Sequence, residues 1–466
     1  MSEQGAPDLP VVVVGAGPQG LAAAAHLLER GQVPSVLEAG PGPAPTVAQW
    51  GHVRLFSGWP ELVDPAAARL LAPSAWSAPT EGYPTGREWI EFYLVPLAAA
   101  LGDHVRYGAR VVGVSRRGRD RLVSGGRAEQ PFTVHIVTNG VESRIDARAV
   151  IDASGTWTQP NPAGADGYPA LGEKAAADNG TVTYLPPTPA QAAVLAGKHV
   201  VLVGSGHSAM TAAIELADLP RTHPKTRLTW ILRRGSVGDA FGGGAADRLP
   251  RRGALGQRSR QLVDDGVIDL VTGFRVEEVE PAGKDGDRVV LVAEDGRRLA
   301  PADRVVVLTG FRPDLSFLSE LRLELDPVLQ APVRLAPEID PNVHSCGTVP
   351  PHGVGELTHP EPGFYLVGMK SYGRAPTFLA LTGYEQVRSV VAELAGDHEA
   401  AARVELTLPD TGVCGGAGLS DEPADKPVGG CCGGPAASSV DSCGEASPES
   451  NPAPQFVALT GLFSRR

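Results

Sequence analysis

Three glycines and an acid give the first hint of chemistry. In "VVVVGAGPQGLAAAAHLLERGQVPSVLEAG" Gly15, Gly17 and Gly20 join four valines to an Ala- and Leu-rich stretch, and Glu38 closes the next apolar run. Gly15 permits a tight turn, Gly17 lets backbone approach a pyrophosphate, and Gly20 lets a helix lie close against a strand. A helix entered through Pro18 and Gln19 aims its unpaired N–H groups and positive dipole end at the same anion. Glu38, with Ala39 beside it, offers acceptors for the hydroxyls of an adenosine ribose.

A second set follows far downstream. "GKHVVLVGSGHSAMTAAIELADL" repeats the order with Gly204, Ser205, Gly206, His207 and Ser208, and Ala209 takes the third place. The strand "TRLTWILRR" then ends in Arg233 and Arg234 where the first set has Glu38. Two cations there attract a 2′-phosphate, the group that separates NADP from NAD, so NADPH is the expected nicotinamide cofactor.

These residues need strand, turn, helix and second strand in that order, and the pattern supplies them twice. The expected helices run to Gly31 in the first unit and stop before Pro220 in the second. After the first unit "ARVVGVSRR", "PFTVHIVTNG" and "RAVIDASGTW" read as a three-stranded antiparallel meander, and "FRVEEVE", "DRVVLVAEDG" and "DRVVVLTGFRPDLSFL" as its counterpart. Each meander ends in a buried strand and a small-residue turn, Ser154-Gly155 and Thr309-Gly310, where the chain is expected to cross between domains. The fold class expected is α/β, with two Rossmann-type dinucleotide-binding domains, each carrying a meander.

Length and charge bound the rest. A chain of 466 residues suits two or three domains. Its formal charge of −12 opposes a broad basic face for nucleic acid or anionic lipid. The start "MSEQGAPDLP" lacks the basic flank and apolar core of a secretory signal, and no apolar run approaches the roughly 20 residues that span a bilayer. A cytoplasmic protein with no membrane and no nucleic-acid partner is expected.

The thiols lie at one end. Residues 1 to 413 hold a single cysteine, Cys346, while Cys414, Cys431, Cys432 and Cys443 lie in a Gly-, Pro- and Ser-rich tail too poor in apolar residues to offset its ordering entropy. Tail cysteines without a role are one reading. Capture of a soft metalloid such as trivalent arsenic by Cys431, Cys432 and Cys443 is another. His344, Cys346, His352 and His359 in "NVHSCGTVPPHGVGELTHP" match no closed zinc spacing and read as a loop.

Two glycine fingerprints in this order, an acid after one and arginines after the other, resemble the two-dinucleotide-binding-domain flavoproteins over roughly residues 9 to 395. Within that group "DASGTWTQPNPAG", "LTGFRPDLSFL" and "VAQWGHVRLFSGW" are similar to segments of the flavin-containing monooxygenases and their bacterial relatives, some of which accompany arsenic-resistance genes. The resemblance implies FAD in the first site and NADPH in the second. It assigns residues 1–165 and 309–408 to an FAD-binding domain, 166–308 to an NADPH-binding domain and 409–466 to the tail. It further implies cofactor contacts at Trp50, Val111, Ser154, Gly155, Thr309, Gly310 and Gly368. Trp50, His52, Arg54, Trp157 and Arg374 become candidates for lining the flavin face. The implied chemistry is oxygenation of a small soft nucleophile with dioxygen.

Departures from the family pattern leave alternatives open. The His-bearing segment that precedes the second glycine loop in flavin-containing monooxygenases is replaced by "GYPALGEKAAADNGTVTYLPPTPAQAAVLAG". Disulfide reductases of similar build need a paired thiol beside the flavin, and residues 1 to 413 contain none. Met369 and Lys370 stand where many reductases carry a flavin-binding Asp. A reductase of thiols or of a metalloid through the tail cysteines, or a metalloid-binding flavoprotein, are the alternatives.

Overall fold

The valines Val11–Val14 form strand β1, and their side chains alternate between two cores. Val11 and Val13 pack under helices, and Val12 and Val14 pack under a meander, all at 6 % exposure or less. A strand buried on both faces reads as an unbroken apolar run, which is why four valines sit at the centre of a parallel sheet. The computed structural model describes residues 9–406 apart from 236, 238–240, 242–248, 343–348, 377 and the side chain of 285.

Around β1 lie β2 (Pro34–Leu37), β3 (Val105–Arg106), β7 (Ala149–Asp152) and β15 (Phe364–Leu366), in the order β15-β7-β1-β2-β3, all parallel. Helix α1 (Pro18–Glu29) joins β1 to β2 and buries Leu21, Ala24 and Leu27. Between β3 and β7 the chain forms the antiparallel meander β4 (Ala109–Arg116), β5 (Phe132–Thr138) and β6 (Val141–Ala147).

The second sheet repeats the first. Its strands are β8 (Val182–Thr183), β9 (His199–Val203), β10 (Arg227–Ile231), β11 (Asp269–Val271) and β14 (Arg304–Val307), in the order β11-β10-β9-β14-β8. Central β9 again divides its side chains, Val200 and Leu202 to one core and Val201 and Val203 to the other. Helix α2 (His207–Leu216) joins β9 to β10, and α3 (Pro250–Asp264) packs beside it. β12 (Val276–Ala282) and β13 (Arg288–Ala293) pair antiparallel, with isolated bridges from Val289 to Ala302 and Val292 to Arg298. Helix α4 (Ala380–Leu394) follows β15 and packs on α1.

The third meander strands differ from the sequence expectation. Ala149–Asp152 and Arg304–Val307 belong to the parallel sheets, where their buried valines and isoleucine pack on both faces. The third strand of the first meander is Val141–Ala147, largely exposed and polar, so its alternation was too weak to register. α2 stops at Leu216, before Pro220 as expected, and Pro220 lies inside the separate turn of helix Asp218–Thr222. Among the described residues no helix is long and apolar enough to cross a membrane.

Candidate functional site

Both glycine loops emerge from the C-terminal end of a central strand, where ligands of open parallel sheets sit. In the first, Gly15 takes φ +97°, a region closed to most side chains, and a Cβ there would lie 3.0 Å from the Ala153 carbonyl oxygen. A Cβ on Gly20 would lie 1.9 Å from the Gly15 oxygen, so the close approach of helix to strand demands glycine. Gly17 caps α1 without any side-chain hydrogen bond, and a Cβ on it would meet no heavy atom within 4 Å. The helix N-terminus therefore opens onto free space bounded by backbone N–H donors.

Glu38 is 7 % exposed and held from both sides. Its Oε2 accepts from the Ala16 N–H at 2.8 Å and its Oε1 from the Gly40 N–H at 2.6 Å. Each oxygen keeps lone-pair capacity for a hydroxyl donor. Gln19 wedges between the Gly368 turn and the start of α4, where its Nε2 donates to the Ala380 carbonyl at 3.1 Å. Its Oε1 is buried with no hydrogen-bond partner, packed against Gly383.

Below this loop lies a buried ion pair. The Lys370 Nζ donates to Asp152 Oδ2 at 2.7 Å and to Ser154 Oγ at 3.0 Å, with both charged side chains fully buried. The Ser154 N–H and hydroxyl both donate to Asp152 Oδ1. Phe317 covers the ammonium at 4.3 Å from its ring centroid. Where many reductases carry a flavin-binding Asp, the chain thus turns a lysine inward, and the turns after β7 and β15 are tied together. Sequence reasoning missed this pair; its signal was a lysine inside the apolar run "FYLVGMKSYG".

The second loop matches the first in geometry. Gly204 has φ +124°, and a Cβ there would lie 2.3 Å from the Leu308 oxygen. Gly206 caps α2 at φ −84° and ψ 176°, against −76° and −177° for Gly17, and also opens onto free space. Trp230 Nε1 donates to the Gly204 carbonyl at 2.7 Å and holds the turn from below. His207 stacks obliquely on Phe56 at 5.4 Å, and Ser208 is exposed at the loop's rim. Arg233 is exposed, with Nη1 donating to the Ala165 carbonyl at 3.2 Å, and Arg234 follows it half-buried.

Two chain crossings join the sheets, one after β7 and one after β14. Thr309 Oγ1 donates to the Asn161 carbonyl at 2.8 Å, Asn161 Nδ2 donates to the Thr309 carbonyl at 3.0 Å, and the Asn161 N–H donates to the Gly310 carbonyl at 2.9 Å. Trp157 stacks on Phe311 with ring centroids 4.4 Å apart, Trp50 approaches Trp157 at 6.4 Å, and Trp157 Nε1 donates to Gln49. Trp50 and Trp157 are thus brought together, with Phe311 as a member the sequence did not announce.

The other candidates stand elsewhere. Arg54 donates to the Tyr83 carbonyl and faces Glu88 at 3.5 Å. His52 lies 3.8 Å from Glu215 with its Nε2 lacking a hydrogen bond, and burial lowers its pKa. Arg374 donates to Gln330, and its charge, after burial, holds the Arg312 guanidinium below its ordinary pKa. Val111 is half-buried in β4 opposite Ile136. Gly155 and Gly310 take φ +70° and +90° at the two crossings, and Gly368 takes +69° against Gln19.

Among the described residues no group of three or more His, Cys, Asp or Glu could hold a metal ion. His359 is half-buried, and desolvation lowers its pKa to about 4. His344, Cys346, Cys414, Cys431, Cys432 and Cys443 lie outside the described residues.

Comparison with known proteins agrees with this geometry. Over 322 residues the chain is 27% identical to a ferredoxin--NADP reductase of Ignicoccus hospitalis, covering 67% of this chain and 81% of that protein. Its fold is similar to that of the bacillithiol disulfide reductase of Bacillus cereus, with a TM-score of 0.61 and 19% identity over 83% of this chain and 99% of the other. A doubly substituted flavin monooxygenase from Stenotrophomonas maltophilia aligns with a TM-score of 0.54 and 23% identity, over 83% and 98% of the two chains. The model of the pyridine nucleotide-disulphide oxidoreductases matches residues 9–359, both glycine loops included. The chain therefore belongs to the pyridine nucleotide-disulphide oxidoreductase family and is an oxidoreductase that uses FAD and NAD(P)H.

Proposed function

We propose that FAD occupies the cradle of Gly15, Gly17, Gln19, Gly20 and Glu38, that NADPH occupies the cradle of Gly204, Gly206, Arg233 and Arg234, and that the acceptor meets the flavin directly. On this reading residues 1–165 and 309–408 serve the flavin, residues 166–308 serve the nicotinamide nucleotide, and the enzyme works in the cytoplasm. FAD held in this cradle would supply the hydride-accepting and electron-transfer chemistry.

The chain's own residues supply binding and orientation. The α1 N–H groups would receive the pyrophosphate and Glu38 would accept from the adenosine ribose. Asp152 and Lys370 hold the turns on either side in register. The Trp50, Trp157 and Phe311 cluster walls the crossing between the sheets against water.

One observation carries the direct-acceptor reading: residues 1 to 413 hold a single cysteine, so no dithiol within them relays electrons away from the flavin. Dioxygen is then the acceptor we favour, with oxygenation of a small soft nucleophile. The relative named as a ferredoxin--NADP reductase favours a second reading, reduction of an external acceptor without oxygenation.

Anaerobic reduction with NADPH followed by mixing with dioxygen separates the two. Oxygenation predicts slow return of the oxidised flavin spectrum, quickened by substrate, with little free peroxide. Immediate return with one peroxide released per NADPH would favour the reductase reading. Substitution of Cys431 and Cys432 by Ser should leave NADPH oxidation intact in the first case.

A further inference from the structure

The turn Gly368–Tyr372 is gripped from its other side by a closed set of buried polar groups. The Gly368 N–H donates to Gln386 Oε1 at 2.7 Å, and the Ser371 hydroxyl donates to the Gly368 carbonyl at 2.8 Å. Gln386 Nε2 then has two hydrogens to place. One goes to Ser371 Oγ and the other to His352 Nε2, each at 2.8 Å. His352 Nδ1 lies 3.1 Å from the Pro350 carbonyl. Gln386 and Ser371 are fully buried and His352 is 2 % exposed.

The partners fix every hydrogen. A carbonyl can only accept, so His352 carries its hydrogen on Nδ1 and presents a lone pair at Nε2. Gln386 cannot be flipped, because its amide hydrogens would then face the Gly368 N–H. A second proton on His352 would set an N–H against the Gln386 amide hydrogens, and any rearrangement leaves one buried donor unpaired. Glu356 on the helix Val354–Leu357 and Glu385 on α4 favour the cation. Glu356 is occupied by the Gly353 N–H and Glu385 by Arg388, the Tyr372 ring covers the imidazole at 5.5 Å, and burial dominates, lowering the pKa of His352.

We propose that neutral His352 is a positioning residue for the flavin cradle, acting through Gln386 on the Gly368 turn, and that its protonation loosens bound FAD. This rests on the flavin cradle proposed above, because Gly368 packs on Gln19 and a Cβ there would lie 2.9 Å from the Gln19 Cγ. The lowered pKa belongs to the ligand-free fold, so the contribution of neutral His352 to FAD affinity is fully present above that pKa and is lost as pH falls through it, at a pH below the ordinary value near 6.5.

The test is the FAD dissociation constant of the full chain, read by released flavin fluorescence from about pH 8 to about pH 5, with folding followed by circular dichroism. Wild type should lose about tenfold in affinity across that window through a one-proton transition. His352→Gln sets a non-titrating acceptor opposite Gln386 and should flatten the profile. Gln386→Glu accepts from both Gly368 and a protonated His352, and should hold FAD into acid. A flat wild-type profile, or the same acid loss in a folded variant of either kind, overturns the proposal. Gly17→Ala separates the two levels of the claim. If it retains wild-type affinity the cradle itself is misplaced; if it loses FAD while His352→Gln keeps the wild-type profile, only the role of His352 fails.

Discussion

The two glycine loops share backbone angles at their caps and differ at their third small residue. In the first, α1 lies so close to the turn that a methyl on Gly20 would overlap the Gly15 carbonyl. In the second, Ala209 occupies the same place, buried without a hydrogen bond asked of its side chain. What both keep is the open glycine at the cap, Gly17 and Gly206, which has room for a methyl as far as the protein is concerned. The third position answers to helix packing, and the cap position to whatever sits in front of the helix.

Substitutions can break that contrast. The largest effect is expected for Gly20→Ala, whose clash with backbone should cost about 3 kcal/mol or more and lower the melting temperature along with flavin content. Gly17→Ala should leave the melt of the flavin-free protein alone and weaken FAD by about a hundredfold, measured by fluorescence titration. Its counterpart Gly206→Ala should keep the yellow protein and raise the KM for NADPH by a similar factor. If Gly206→Ala lost flavin instead, the two cradles would have to exchange cofactors.

Smaller changes sharpen it. Arg233→Ala with Arg234→Ala should weaken NADPH by about tenfold while leaving NADH nearly unchanged, as steady-state kinetics with the two nucleotides would show. Equal loss for both would remove the 2′-phosphate reading. Ala209→Gly should cost only about 1 kcal/mol in chemical denaturation, the ordinary penalty of glycine in a helix.

The same contrast explains what could be seen in the chain beforehand. Glycine spacing and apolar runs announce β1, α1, β9 and α2, because local geometry demands those residues in sequence order. Strand β6 escaped notice because its side chains face water and carry no alternation. Strands β7 and β14 read as meander strands in the sequence because a short buried run shows burial and not partnership. The polar locks were out of reach for a different reason. Asp152 and Lys370 are 218 residues apart, and His352 and Gln386 are 34 apart on different elements. Only the closed fold makes a lysine in an apolar run, or a lone histidine after two prolines, into one half of a pair.

The paired crossings carry a mechanical consequence. A single linker would let the second sheet swivel freely about its attachment. Here two strands of chain run side by side and are cross-bonded through Asn161, Thr309, Gly310 and Arg312. A strap fixed along two lines yields to bending across its width, with Gly155 as a pliable point outside the bonded stretch, but resists torsion, because twisting must shear those bonds. The connection therefore has one soft direction and one stiff one, set by four side-by-side residues.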